Sequence, residues 1–185
     1  MLARVCERRA ASEDAVTLAL RMPQRWPKAR AGQHIDISVD IDGVRHTRAY
    51  SLSAPPSDPR HIEITIANVA GGKVSRHLFE HLQPGDVLQI SAPYGGLCLP
   101  DNVHAPLLLL AAGSGITPLR SLLLDALARD WRGAITLGYW AQSRQSLCFA
   151  EQWAALQAQH SVLCVHTLLT RDPVEPAPRI SAEVL

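Results

Sequence analysis

The chain has 185 residues, 47% hydrophobic and 19% charged, with a formal net charge of +1. That is a globular composition, sufficient for one large domain or two small ones, and it carries no basic footprint of nucleic-acid binding. The most apolar run, Leu107–Ala112, falls far short of the ~20 residues that cross a bilayer, and Arg120 and Asp125 interrupt the leucines beyond it. Arg4, Glu7, Arg8 and Arg9 occupy the place where a secretory signal needs apolar residues, so the expected compartment is the cytoplasm. Cys6, Cys98, Cys148 and Cys164 lie far apart, without metal-cluster spacing, and read as small buried hydrophobes. The histidines show no metal-ligand spacing either.

The first half of the chain reads as β structure. Val16, Leu18 and Leu20 alternate with other residues at the period of a half-buried strand. Ile35, Ile37, Val39 and Ile41 do the same, and Asp42-Gly43 after them is a two-residue hairpin signal. A returning strand over 44–52 follows, then Ile62, Ile64 and Ile66, and a short strand over 87–92. Strands at this spacing predict a small antiparallel barrel or sandwich. A helix over 74–82 interrupts them and ends at Pro84-Gly85.

The pattern changes after Leu99. Residues 100–106 read as a linker, and Leu107–Ala112 as a strand buried on both faces. A helix is expected over 118–129, a strand over 134–140, a helix over 149–159 and a strand over 162–169. Alternating strands and helices imply right-handed βαβ units and a parallel sheet. Residues 173–178 read as a proline-rich loop, and 180–185 as the start of another helix.

Three segments carry chemistry. Arg48-Ala49-Tyr50-Ser51 puts Arg48 and Tyr50 on one strand face, a phosphate donor beside a flat ring for stacking. Taken alone, those four residues fit an exposed arginine and a packed tyrosine better. Gly71-Gly72-Lys73-Val74-Ser75 opens a helix, where close backbone approach and free N–H groups suit an anion. An ordinary turn explains that segment about as well. Gly113-Ser114-Gly115-Ile116-Thr117-Pro118 follows a buried strand and precedes a helix, with Thr117 as the expected N-cap and Pro118 as the first helical residue. That is the context of a mononucleotide-binding turn, and a turn without ligand explains it less well.

In order and spacing, R-x-Y-S, G-G-x-x-S and G-S-G-I-T-P together resemble the ferredoxin-NADP-reductase superfamily. Ala31-Gly32-Gln33-His34, Pro84-Gly85-Asp86 and Ala92-Pro93-Tyr94-Gly95 are similar to other turns of that family. Tyr139-Trp140-Ala141, Ser143-Arg144 and Phe149-Ala150-Glu151 are similar to its second nucleotide-domain strand and helix. The likeness covers nearly the whole chain and is nearest to the bacterial reductases that serve oxygenases and desaturases.

The resemblance implies a Greek-key, flavin-binding antiparallel β-barrel over 1–101, followed by a partial doubly wound α/β NAD(P)-binding domain over 102–185. It implies that Arg48 holds a flavin phosphate, with Ala49 beside it, that Tyr50 stacks near the isoalloxazine, and that Ser51 sits by its reactive nitrogen. Ile66 and Asn68 take cofactor-binding positions. Gly71, Gly72, Val74 and Ser75 would hold a pyrophosphate, which favours FAD over FMN. Gly113, Ser114 and Gly115 would face the pyridine nucleotide, with Thr117 and Pro118 close to both cofactors. Ser51 and Thr117 are the implied catalytic pair. Ser143 and Arg144 fall where the adenosine ribose should lie. An arginine there suits the 2′-phosphate of NADP rather than NAD, and a solvated surface arginine is nearly as good a reading.

The implied activity moves electrons from NAD(P)H through FAD to a ferredoxin or a 2Fe-2S domain feeding an oxygenase or desaturase. No metal site is expected in this chain. Relative to the family, the chain reads as cut short after the third parallel strand, so a non-catalytic flavin-binding module is the alternative.

Overall fold

The structure is a computed structural model that describes residues 1–172, except 57 and 59, and residues 176–178. The helix expected over 180–185, and the loop over 173–175, lie outside the described residues.

Six antiparallel strands form the first unit: β1 (Leu2–Ser12), β2 (Ala15–Arg21), β3 (His34–Ile41), β4 (Val44–Ser51), β5 (His61–Ala67) and β6 (Val87–Ile90). Their order is β4-β3-β6-β1-β2-β5. The sheet curls until Leu52, just past β4, bridges Ile64 of β5. That single bridge replaces a full ladder, so the barrel is not closed by continuous pairing. The alternating apolar residues point inward, with Leu18, Leu20, Ile35, Ile37, Ile64 and Ile66 fully buried. Helix α1 (Lys73–His81) adds Val74 and Leu78 to this core.

Strand β1 has no counterpart in the sequence pattern. Its pairing with β2 slips between Val5 and Glu7 and again between Ala10 and Ser12. Each bulge breaks the two-residue period, and Arg4, Glu7, Arg8 and Arg9 hide what alternation is left.

The second unit is a parallel sheet in the order β7-β8-β9: β7 (Leu107–Ala112), β8 (Ile135–Ala141) and β9 (Leu163–Leu169). Helices α2 (Ile116–Ala128) and α3 (Ala150–Gln159) connect the strands. Ile116, Leu122, Leu123 and Trp153 share a core with Leu109, Ile135, Leu137 and Tyr139. Among the described residues β7 pairs only with β8, and Leu108 on it is 66% exposed. No helix among the described residues is long and apolar enough to cross a membrane.

Two expectations need correction. Thr117 is not the N-cap of α2. Residues Gly113–Gly115 form a 3-10 turn that runs directly into the helix, so Gly115 caps it, Thr117 is the second residue of its first turn and Pro118 the third rather than the first. Pro118 is tolerated there because first-turn N–H groups have no helical acceptor. Of the cysteines, only Cys148 is buried; Cys6, Cys98 and Cys164 are exposed. Cys6 falls at the first bulge of β1, and Cys164 lies on the solvent face of an edge strand.

Two glycines give a contrast that tests the packing. Gly43 completes the Asp-Gly hairpin turn at φ +74°, and a Cβ there meets open space. Gly32, at φ +84°, faces the carbonyl oxygen of Leu97 at 2.1 Å and Leu122 at 3.0 Å from an added Cβ. Gly43→Ala is expected to cost only the left-handed backbone strain, about 1–2 kcal/mol. Gly32→Ala adds a backbone collision and is expected to cost more than about 3 kcal/mol. Urea titration of both variants measures this, and equal losses would contradict the packing.

Candidate functional site

The three motifs meet on one cavity of about 650 Å³ between the barrel and the start of α2. Arg48, Ala49, Tyr50 and Ser51 line it from β4, and Gly71, Gly72, Val74 and Ser75 from the turn into α1. Ser114, Gly115, Thr117 and Pro118 close it from the second unit. The volume falls within the ~300–1,000 Å³ range of small-molecule sites.

The chain places these groups by simple means. The Asp42-Gly43 turn sets the register of β4 on β3, pairing Ile35 with Tyr50 and Ile37 with Arg48. Tyr50 packs partly against the barrel core, and burial pushes its phenol up to about 12, so it stays neutral at physiological pH. Arg48 is exposed and donates from Nη1 to Thr47 O at 2.8 Å; among the described residues its other donors have no partner. The first turn of α1 has no side-chain cap, which leaves its N–H groups available to an anion. Val74 anchors that turn by burying its side chain in the barrel core. The Thr117 hydroxyl donates to Ser114 O at 3.0 Å and stiffens the glycine turn.

Ile66 and Asn68 stand apart from this cavity. Ile66 points into the barrel core, and Asn68 is exposed, its backbone N–H donating to Asp14 O. The alternation that buries Ile64 and Ile66 turns Thr65 and Ala67 toward the cavity instead. Thr65 is held from behind by a buried hydrogen bond of 2.9 Å with Thr17. Lys73 also lines the cavity, paired with Asp42 at 3.2 Å.

Gly113 lies on the other side of the glycine turn. It lines a second cavity of about 430 Å³ with Trp140, Gln142 and Arg171, at the carboxyl ends of β7, β8 and β9. Open parallel sheets bind ligands at that end. Ser143 and Arg144 line an adjoining cavity of about 900 Å³, and Arg171 belongs to both. The Ser143 hydroxyl is engaged in its own turn, accepting from the Ser146 N–H at 3.3 Å. Trp140 is half buried; it lies over Gly138 and donates from its ring nitrogen to Pro178 O at 3.0 Å. Among the described residues no cluster of three His, Cys, Asp or Glu is arranged to hold a metal ion.

Between the cavities and the molecular surface runs the seam of the two units. Arg120 on α2 is 7% exposed and donates to Ser53 O at 2.6 Å, to Gln152 Oε1 at 2.6 Å and to Glu63 Oε2 at 3.3 Å. Burial pushes the Arg120 pKa down and Glu63 opposes that shift. Glu63 also binds Arg9, whose pKa this hydrogen bond raises. The Arg120 guanidinium stacks 4.3 Å from the Phe149 ring centroid. Phe149 itself is held at φ 60°, a left-handed conformation costing about 1–3 kcal/mol in a bulky residue. Its backbone N–H donates to Ala11 O across the seam at 2.8 Å. No sequence signal marks Arg120 or Arg171.

Comparison with known proteins agrees with this architecture. The oxidoreductase FAD-binding domain family matches residues 2–98, and the oxidoreductase NAD-binding domain family matches residues 109–182. The ferredoxin–NAD(P)(+) reductase component of the naphthalene 1,2-dioxygenase system of Pseudomonas putida is 33% identical over 134 residues, 72% of this chain and 40% of that protein. A reductase component of the terephthalate 1,2-dioxygenase of a Comamonas species is 30% identical over 177 residues, 94% of this chain and 52% of that protein. The FAD/NAD-binding domain of nitric oxide dioxygenase from Vibrio cholerae superposes with a TM-score of 0.87 at 25% identity, covering 100% of this chain and 81% of that one. The chain thus spans between a quarter and about half of the length of the curated relatives it matches. With both family domains in sequence order on this fold, the chain belongs to the ferredoxin-NADP reductase superfamily, with FAD and NAD(P) as its cofactors.

Proposed function

We propose that this chain is the flavin- and nucleotide-binding part of an NAD(P)H-dependent reductase that passes electrons to an iron–sulfur acceptor. The acceptor class is a ferredoxin or a 2Fe-2S domain serving an oxygenase or desaturase. Residues 1–101 form the flavin-binding unit and 102–185 the nucleotide-binding portion in this reading. The observation that carries it is the meeting of residues 48–51, 71–75 and 114–118 on one cavity, with Gly113 on the next. The oxygenase-system relatives support the choice of acceptor.

The residues present fit FAD. Bound there, it would take up a hydride and release electrons singly, which is the chemistry such a reductase needs. Arg48 and Lys73 supply cations, and the uncapped start of α1 supplies N–H donors, for the phosphates. Tyr50 offers an apolar face and a neutral phenol. Ser51 on β4 and Thr117 on α2 line the cavity from the two units, and their hydroxyls would orient a flavin ring held between them. Gly113 lines one cavity and Ser114 and Gly115 the other, so a flavin and a nucleotide bound in them would approach each other at this turn.

Arg48→Ala is expected to weaken FAD binding roughly ten- to a hundredfold, the loss of a charge-assisted phosphate contact. Flavin fluorescence quenching on titration into the purified chain reads this. An unchanged affinity removes Arg48 from the site, and a wild-type chain that ignores FAD removes the flavin reading.

The nucleotide preference has its own test. Arg144 lines the cavity beyond β8 and would meet a 2′-phosphate. Arg144→Ala is then expected to weaken NADPH binding about tenfold and NADH binding less than about twofold. Calorimetric titration with both nucleotides decides it, and equal losses would end the assignment of Arg144 to the 2′-phosphate.

A further inference from the structure

Among the described residues Arg120 is the only charged residue that is buried. Its partners come from three segments outside its own helix, and two of them lead directly to the cavity, as does the helix itself. Ser53 lies two residues beyond Ser51. Glu63 lies two residues before Thr65, and Thr117 lies one helical turn before Arg120 itself. We propose that Arg120 is a positioning residue for the flavin site, fixing the wall that carries Thr117 against the wall that carries Ser51. This rests on the flavin reading above.

The geometry gives the guanidinium this role. Its Nε donates to Gln152 and its Nη1 to Ser53 O and Glu63, while its face stacks on Phe149. Only a planar fork with several fixed donors meets all of these at once; an ammonium is a point charge on a flexible stem. Ser53 O belongs to the barrel, since the Ser53 N–H donates to Glu63 O at 2.8 Å. Gln152 and Phe149 belong to α3 and its entry. One side chain therefore locks three elements in a single relative placement. The barrel keeps its core without it, and the second core, which reaches across the seam to Ala11, Ala15 and Ala31, does not include it. Glu63 also keeps its pairing with Arg9, so removing Arg120 strands no carboxylate. The loss falls on the seam, and through it on the shape of the cavity.

The test is hydrogen–deuterium exchange on the full 185-residue chain as wild type, Arg120→Met and Arg120→Lys, with and without FAD. In Arg120→Met, amides 113–117 and Ser53 are expected to exchange about tenfold faster, with the barrel strands unchanged. FAD should still protect residues 71–75 in that variant and no longer protect 113–117. Arg120→Lys should recover part of this protection. The proposal is overturned if FAD protects both walls of Arg120→Met as it does in the wild type. It is also overturned if the barrel strands lose protection, which would make Arg120 a general folding residue. If the wild type takes up no FAD, the flavin reading fails by itself; unchanged exchange of 113–117 between the ligand-free proteins then overturns the positioning role separately.

Discussion

A guanidinium buried between two folding units is a demanding choice. Taken out of water unpaired, it would oppose folding by several kcal/mol. Arg120 avoids this because a carbonyl, an amide oxygen, a carboxylate and an aromatic face surround it. An apolar seam would tolerate sliding, since dispersion has little directional preference. Hydrogen bonds of 2.6 Å to both units do not slide. The strained backbone of Phe149 is tolerated in the same place, tied by its own N–H to Ala11 and by its ring to Arg120 and Trp153.

That seam matters because neither unit alone makes the cavity lined by residues 48–51, 71–75 and 114–118. The barrel offers an open margin where β4 and β5 meet through one bridge, and α1 starts beside it. The second unit brings the 3-10 turn that opens α2. Two helix beginnings thus point their partial positive charge into one space, alongside Arg48 and Lys73. The chain as a whole carries only +1. The attraction for a polyanionic ligand is therefore local, built by orientation rather than by net charge.

Much of this was legible from residues. Regular isoleucine spacing at 35–41 and 62–66 located β3 and β5, and Asp42-Gly43 located the turn that sets the register of Arg48 and Tyr50. Leu107–Ala112 and the glycines after it located the parallel sheet and the turn at its carboxyl end. The misses have physical causes. Two bulges scrambled the period of β1. The early 3-10 turn moved the start of α2 ahead of Thr117. Ile66, a cofactor-binding position by resemblance, turns its side chain into the barrel core, and its neighbours on the alternate face, Thr65 and Ala67, line the cavity. Arg120 was invisible because a helix written in leucines gives no sign which of its polar residues faces inward; only the tertiary seam decides that.

The placement of the tryptophans has an optical consequence. Trp26, Trp131 and Trp153 are at least 92% buried, whereas Trp140 is half exposed at the rim of the cavity at the ends of the parallel strands. Its indole is pinned over Gly138 and to Pro178, which fixes it at the rim of that cavity. The buried indoles emit from a rigid apolar surrounding and are shielded from small quenchers. The long-wavelength, iodide-accessible part of the emission thus comes from Trp140. The protein carries a built-in fluorophore at the rim of that cavity, so that ligand arrival there can be followed without a label.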